Sequence, residues 1–272
     1  MRLAIVLFGA LAVATPSAAG SRRVDVGGFK LNLHCVGNGS PVVVLDAGAG
    51  DSSDTWDWVV PDVRRFTRVC TYDRAGLGKS DAGPFPRTSD RIADELERLL
   101  VGAQVSGPYV LVGHSFGGLN MRLFASRHPE SVAGLVLVDA TPEDFPAKEA
   151  ALRTQGENEK LRTARSLGTP TFRSELDAMP ASASLVRAAR PTESQVVVLS
   201  AAHAEDSPAF RDTWAALQRQ MVAAFPHARQ VLADRSGHYI QYDQPELVVD
   251  AIRDLVNGSK TAPSPGPHGS SD

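Results

Sequence analysis

The segment Gly113-His114-Ser115-Phe116-Gly117 follows the apolar run Tyr109-Val110-Leu111-Val112 and precedes a helix-compatible stretch. A serine hydroxyl is a weak nucleophile at neutral pH, so it needs an exposed position, an adjacent base and donors that hold developing negative charge. A strand, a sharp turn flanked by Gly113 and Gly117, and a helix supply the exposed position. This is the sequence signature of a nucleophile elbow, and Gly118 extends its patch of small residues. The chemistry it points to is acyl transfer through Ser115.

The base must be remote in sequence and adjacent in space. The sequence has seven histidines. His34 falls in a strand, His128 near a helix end, His227 before a strand and His268 in a polar tail, while His203 follows the strand Gln195 to Leu199. His114 sits on the elbow itself, where backbone geometry turns it away from its neighbour. His238, in Ser236-Gly237-His238-Tyr239 after the last strand, remains as the base. The third group is a carboxylate that orients the imidazole, and the chain order nucleophile, acid, histidine puts it between Ser115 and His238. Asp206 is the first assignment. Glu205, in the same loop, and Asp139, which closes the preceding strand, are the alternatives. The oxyanion donors are expected to be the backbone N–H groups of Phe116, next to the nucleophile, and of Ala49, in Asp46-Ala47-Gly48-Ala49-Gly50.

Positioning these groups takes a sheet whose strands all end on one side. Short runs at Arg23 to Val26, Phe29 to Cys35, Pro41 to Leu45, Arg68 to Tyr72, Tyr109 to Val112, Gly134 to Val138, Gln195 to Leu199 and Gln230 to Ala233 read as strands. The first two form an antiparallel pair joined by Gly27-Gly28. The others are nearly continuous in Val and Leu, which suits strands covered on both faces. Helical patterns at 92–102, 116–127, 208–225 and 245–256 alternate with them, giving an α/β class. Between Thr141 and Ser194 about fifty residues carry helical patterns and no strand, too many for a structureless loop. Residues 142–194 are therefore expected to form a small helical cap over the strand ends.

At 272 residues and 43% hydrophobic content the chain can bury one full core. A net charge of -3 with scattered arginines argues against nucleic acid as a partner. Residues 1–20 read as a signal peptide: a charged start at Arg2, an apolar stretch from Leu3 to Ala14, and small residues through Gly20. The apolar stretch is shorter than the roughly 20 residues that span a bilayer. The expectation is an exported protein, extracellular or periplasmic, with no stable membrane insertion after cleavage. In an oxidising compartment Cys35 and Cys70, both in strands of the same half of the sheet, are expected to form a disulfide. The alternative is a pair of buried thiols. The folded domain is expected over 21–256, and the Pro/Gly/Ser-rich stretch 257–272 to be a disordered tail. No histidine pair has H-E-x-x-H spacing and the cysteines are far from C-x-x-C, so neither metal nor cofactor is expected.

From about Val24 to Val256 the chain resembles the α/β-hydrolase fold serine hydrolases of the broad esterase and lipase-like superfamily. The resemblance rests on Leu45 to Gly50 with Trp56 downstream, Tyr72-Asp73-Arg74-Ala75-Gly76-Leu77-Gly78-Lys79-Ser80, the elbow, Gly134 to Asp139, and Ser236-Gly237-His238. It implies a mostly parallel eight-stranded sheet with helices on both faces, a cap after the sixth strand and a covalent acyl-enzyme. It also places the strands carrying Cys35 and Cys70 side by side, and makes Asp73 and Arg74 braces for the loops around the site. Two features depart from the family pattern: Ala47-Gly48 stands where many relatives have His-Gly, and the acid loop lacks the usual Gly-x-x-Asp spacing. Relatives that displace at carbon carry an aspartate nucleophile where this chain has Ser115. The expected substrate is a small carboxylic ester or lactone. An amidase or aminopeptidase-like hydrolase, told apart by an acidic patch that captures an amine, and a ligand-binding protein with little turnover are the rivals.

Overall fold

A computed structural model describes residues 20–152 and 155–261 of the chain. Eight strands form one open sheet: β1 (Gly20–Asp25), β2 (Lys30–Val36), β3 (Val42–Asp46), β4 (Val69–Tyr72), β5 (Tyr109–His114), β6 (Val132–Val138), β7 (Gln195–Ala201) and β8 (Ala228–Ala233). Their spatial order is β1-β2-β4-β3-β5-β6-β7-β8. β2 runs antiparallel to both its neighbours, and all pairs from β4 onward are parallel.

The helices are α1 (Val60–Val63), α2 (Ser89–Gly102), α3 (Phe116–Arg127), α4 (Phe145–Leu152), α5 (Gln155–Leu167), α6 (Pro170–Ala188), α7 (Pro208–Ala223), α8 (Ile240–Asp243) and α9 (Pro245–Thr261). Strand alternation splits the core in two. Val44, Leu111, Leu135 and Val198 point to one face, against Leu96 and Leu99 of α2, Met121 and Phe124 of α3, and Met221 of α7. Leu45, Val112, Val136 and Val197 point to the other, against Val248, Ile252 and Leu255 of α9. Both faces of the central strands are therefore covered, as their unbroken apolar runs require.

Capping residues fix where helices start. Thr88, Thr169 and Ser207 accept first-turn amides of α2, α6 and α7 through their side-chain oxygens. Residues 142–194 carry α4, α5 and α6. The expected tail start at 257 is corrected, because α9 continues through Asn257 and Gly258 to Thr261. Extending an established helix adds a hydrogen bond per residue and needs no new nucleus, so two weak helix formers do not stop it. The expected signal peptide, except Gly20, and the end of the expected tail, 262–272, lie outside the described residues. Cys35 and Cys70 are direct cross-strand partners of β2 and β4, with Cα atoms 4.1 Å apart, and are joined by a disulfide.

Candidate active site

Ser115 joins β5 to α3 with φ 50° and ψ -119°, a conformation few non-glycine residues adopt. Three glycines make the turn sterically feasible. A Cβ on Gly113 would lie 2.6 Å from the Gly117 carbonyl oxygen, one on Gly117 2.6 Å from those of Asp46 and Ala47, and one on Gly118 2.3 Å from the Ala140 Cβ. The elbow packs where no side chain fits, and the Ser115 amide donates to the Val138 carbonyl at 3.2 Å, locking it to β6. Phe116 opens α3, and the first amides of a helix have no partner within it.

His238 lies in the loop after β8. Its Nδ1 is 2.7 Å from Oδ2 of Asp139, the residue that follows β6, and Asp139 is fully buried. This corrects the assignment of Asp206 as the carboxylate on His238. Asp206 Oδ2 faces Nδ1 of His203 at 2.7 Å, and the other nitrogen of His203, Nε2, lies 2.8 Å from the same Asp139 oxygen that holds His238. The reason is topological. β6 lies next to β5 in the sheet, so the residue at its end arrives beside the elbow, while the β7 loop reaches it only through His203. Glu205 lines the same cavity without joining this chain of contacts. The remaining Asp139 oxygen accepts from the Ala201 amide at 3.0 Å and from Trp214 Nε1 at 2.9 Å. Burial works against charge on Asp139, and the bonds from His203 and then His238 outweigh it, holding the carboxyl well below the usual range.

Asp139, His203 and His238 bring a carboxylate oxygen and two ring nitrogens within 4.8 Å of one another, and those atoms are engaged in the hydrogen bonds just given. In the sequence His203 reads only as a residue that follows a strand. One backbone signal sets it apart. Among the described residues the non-glycine positions with positive φ are Gln104, Ser115, Asp139 and His203: two belong to this cluster and a third is the elbow serine. Strained backbone of this kind concentrates at functional sites.

The Ala49 loop is clamped from behind. Arg74, 1% exposed, donates to Asp46 at 2.6 Å, to the Ala47 and Gly48 carbonyls at 2.7 and 2.6 Å, and to Glu175 of α6 at 2.7 and 3.0 Å. Glu175 in turn accepts the Gly50 amide at 2.8 Å. With the carbonyls of 47 and 48 turned to Arg74, the loop around Ala49 is fixed at the cavity wall. Asp73 braces a second loop by accepting from the amides of Ser53 and Lys79. Glu175 was not legible, because no local pattern connects a helix acid to an arginine a hundred residues earlier.

Ser115, His238, Ala49 and Thr141 line a cavity of about 890 Å³ walled by Phe172, Leu176 and Met179 of α6 and by Phe210 and Trp214 of α7. That volume suits a small organic substrate. His114, fully buried, bonds the His238 carbonyl through Nε2 at 2.9 Å, and burial holds its pKa down to about 3, so the ring is neutral. Among the described residues its Nδ1 and Asp51 Oδ2 have no hydrogen-bond partner; both are buried and face Gly48, where a Cβ would lie 2.9 Å from each. Burial also raises the Asp51 carboxyl, against the opposing charges of Arg74 and His238.

Residues 40–216 match the sequence profile described as the alpha/beta hydrolase fold, and the chain belongs to that family. The chain is 30% identical over 223 residues to the uncharacterized protein YqjL of Bacillus subtilis, covering 82% of this chain and 86% of that one. It is 25% identical over 277 residues to the 2-(acetamidomethylene)succinate hydrolase of Mesorhizobium japonicum, covering 87% and 95%. The solved enol-lactonase of Burkholderia xenovorans superposes with a TM-score of 0.68 at 21% identity, over 87% of this chain and all of that one, a likeness of fold. Family and fold together support a hydrolase.

Proposed function

We propose that the chain is a serine hydrolase that cleaves a carboxylic ester or lactone through Ser115, His238 and Asp139. One observation carries the reading: a buried carboxylate holds Nδ1 of a histidine that shares its cavity with a strained elbow serine. With Nδ1 committed to Asp139, Nε2 is the nitrogen left to take the Ser115 proton. Ser115 Oγ attacks the carbonyl carbon, His238 accepts the hydroxyl proton, and the amides of Phe116 and Ala49 hold the oxyanion. Collapse breaks the ester C–O bond, with His238 returning the proton to the leaving alkoxide. A water molecule, deprotonated by His238, then attacks the acyl-enzyme, and Ser115 recovers its proton as the acid departs. Asp139 fixes the tautomer and stabilises the imidazolium.

In the same reading residues 142–194 are a cap whose α6 side chains shape the substrate space, and the protein is exported. Among the described residues no helix is long and apolar enough to cross a membrane. A second reading, hydrolysis of an amide bearing a free amine, draws on Asp51, Glu149, Glu205 and Asp234 on the cavity wall, which Arg235 also lines. A panel of p-nitrophenyl esters of increasing acyl length, beside aminoacyl p-nitroanilides, separates the two. The ester panel is expected to turn over, and Ser115→Ala to lose turnover by several orders of magnitude with its fold intact. Turnover that survives Ser115→Ala would contradict both.

A further inference from the structure

His203 is 5% exposed, and each of its ring nitrogens faces a carboxylate oxygen, Asp139 Oδ2 at 2.8 Å and Asp206 Oδ2 at 2.7 Å. A neutral imidazole has a single N–H, whereas an imidazolium donates from both nitrogens. The ring is fixed in this place from several sides. Its backbone sits at φ 52°, its amide donates to the Ser236 carbonyl of the β8 loop at 3.3 Å, and the rings of Phe210 and Trp214 lie 5.3 and 5.4 Å away. No proton-transfer role in the acyl-transfer scheme requires a second histidine on Asp139.

We propose that His203 is a positioning residue that stands as an imidazolium between Asp206 and Asp139 and sets how readily His238 accepts a proton from Ser115. The inference rests on the serine hydrolase reading of the site. Both rings donate to the same Asp139 oxygen, and their centroids are 6.0 Å apart. A fixed positive charge there offsets part of the attraction that Asp139 exerts on a proton at His238. Once protonated, His238 gives its proton to a leaving group more readily.

The charged and titratable groups facing His203 are Asp139 at the end of β6, Asp206 in its own loop and His238 in the β8 loop. α7 presents the uncharged rings of Phe210 and Trp214, and its Arg211 is turned to the Ala204 carbonyl at 3.0 Å. Burial opposes charge on His203, and the bonds and charges of Asp139 and then Asp206 overcome it, so its proton is held more tightly than in water. Asp206, 40% exposed, connects this charge to solvent.

Two measurements on the full-length protein test the proposal. In 15N-histidine NMR of the resting protein, His203 is expected to show both ring nitrogens protonated at pH 7, with a titration midpoint that falls in Asp206→Asn. A singly protonated His203 at pH 7 overturns the proposal whether or not any variant folds. In the pH profile of kcat/KM for a p-nitrophenyl ester, His203→Gln keeps an amide donor toward Asp139 and removes the charge. Its acid limb is expected to move up by about one to two pH units, the effect of a unit charge at this separation in a partly solvated site. A folded His203→Gln enzyme whose acid limb stays where the unsubstituted enzyme has it overturns the proposal as well. Failure of the serine hydrolase reading is told apart by Ser115→Ala retaining turnover, an outcome on which the His203 resonances do not depend.

Discussion

Asp139 is saturated: Oδ2 receives His238 and His203, and Oδ1 receives the Ala201 amide and the Trp214 indole. Replacing Asp139 with Asn keeps one acceptor and turns an NH2 group toward two donors, which disorients the His238 ring. Asp139→Asn is expected to lower kcat by about 10³ to 10⁴ and the unfolding free energy by about 1 to 3 kcal/mol, read by ester turnover and urea titration. Asp206→Asn leaves the His238 to Asp139 contact in place and is expected to keep most of its turnover at the pH optimum. The reverse pattern would return the acid to the β7 loop. The placement of Ser115 on a strand-to-helix turn and of His238 in the loop after β8 was legible because a glycine-framed turn and a late Ser-Gly-His are local patterns. The acid was not, because β6 and β7 each end near an aspartate and only lateral strand order decides which one meets the histidine.

The elements hold the site by burying charge at their junctions. Arg74 ties the loop after β3 to α6 through two fully buried carboxylates, Asp46 and Glu175. Removing the cation strands both, so Arg74→Met is expected to destabilise by about 3 to 5 kcal/mol. Adding Glu175→Leu should recover part of that loss, and chemical denaturation of the two variants measures both steps. At the far side of the sheet the Cys35–Cys70 bond links β2 to β4 across 35 residues of chain. The Cys35→Ala/Cys70→Ala pair is expected to cost about 2 to 4 kcal/mol, with turnover little changed because the bond lies away from the cavity. The strands were legible from their apolar runs and the helices from their periodicity. The pairing of Arg74 with α6 was not, since it exists only after the segment between β6 and β7 folds back over the β3 loop.

Over the whole molecule, two histidines contribute to the pH dependence of stability with opposite signs. His114 is held neutral, its pKa lowered from 6.5 to about 3, so below 6.5 the unfolded chain binds a proton that the folded one refuses. Each pH unit of acidification in that window is expected to remove up to about 1.4 kcal/mol on its account. His203 shifts the other way: its contribution is fully present below 6.5 and is lost as pH rises through its raised folded value. Urea titrations between pH 4 and 6.5 should therefore show a steep slope that flattens in His114→Gln, which keeps a donor for the His238 carbonyl. An unchanged slope in a folded His114→Gln protein would remove His114 from the account. The α/β class and the place of the elbow at the strand ends were legible from the alternation of elements. The buried polar groups that set this pH dependence were not, because sequence alone does not say which histidine is sealed from water.

Covalent labelling by a fluorophosphonate tests the central claim most directly, since it reads the activated serine without needing the natural substrate. Intact mass and peptide mapping are predicted to show a single adduct on Ser115 at one per chain. The adduct should be absent in Ser115→Ala and much slower to form in Asp139→Asn. A folded protein that takes no label, or takes it at another residue, would contradict the account.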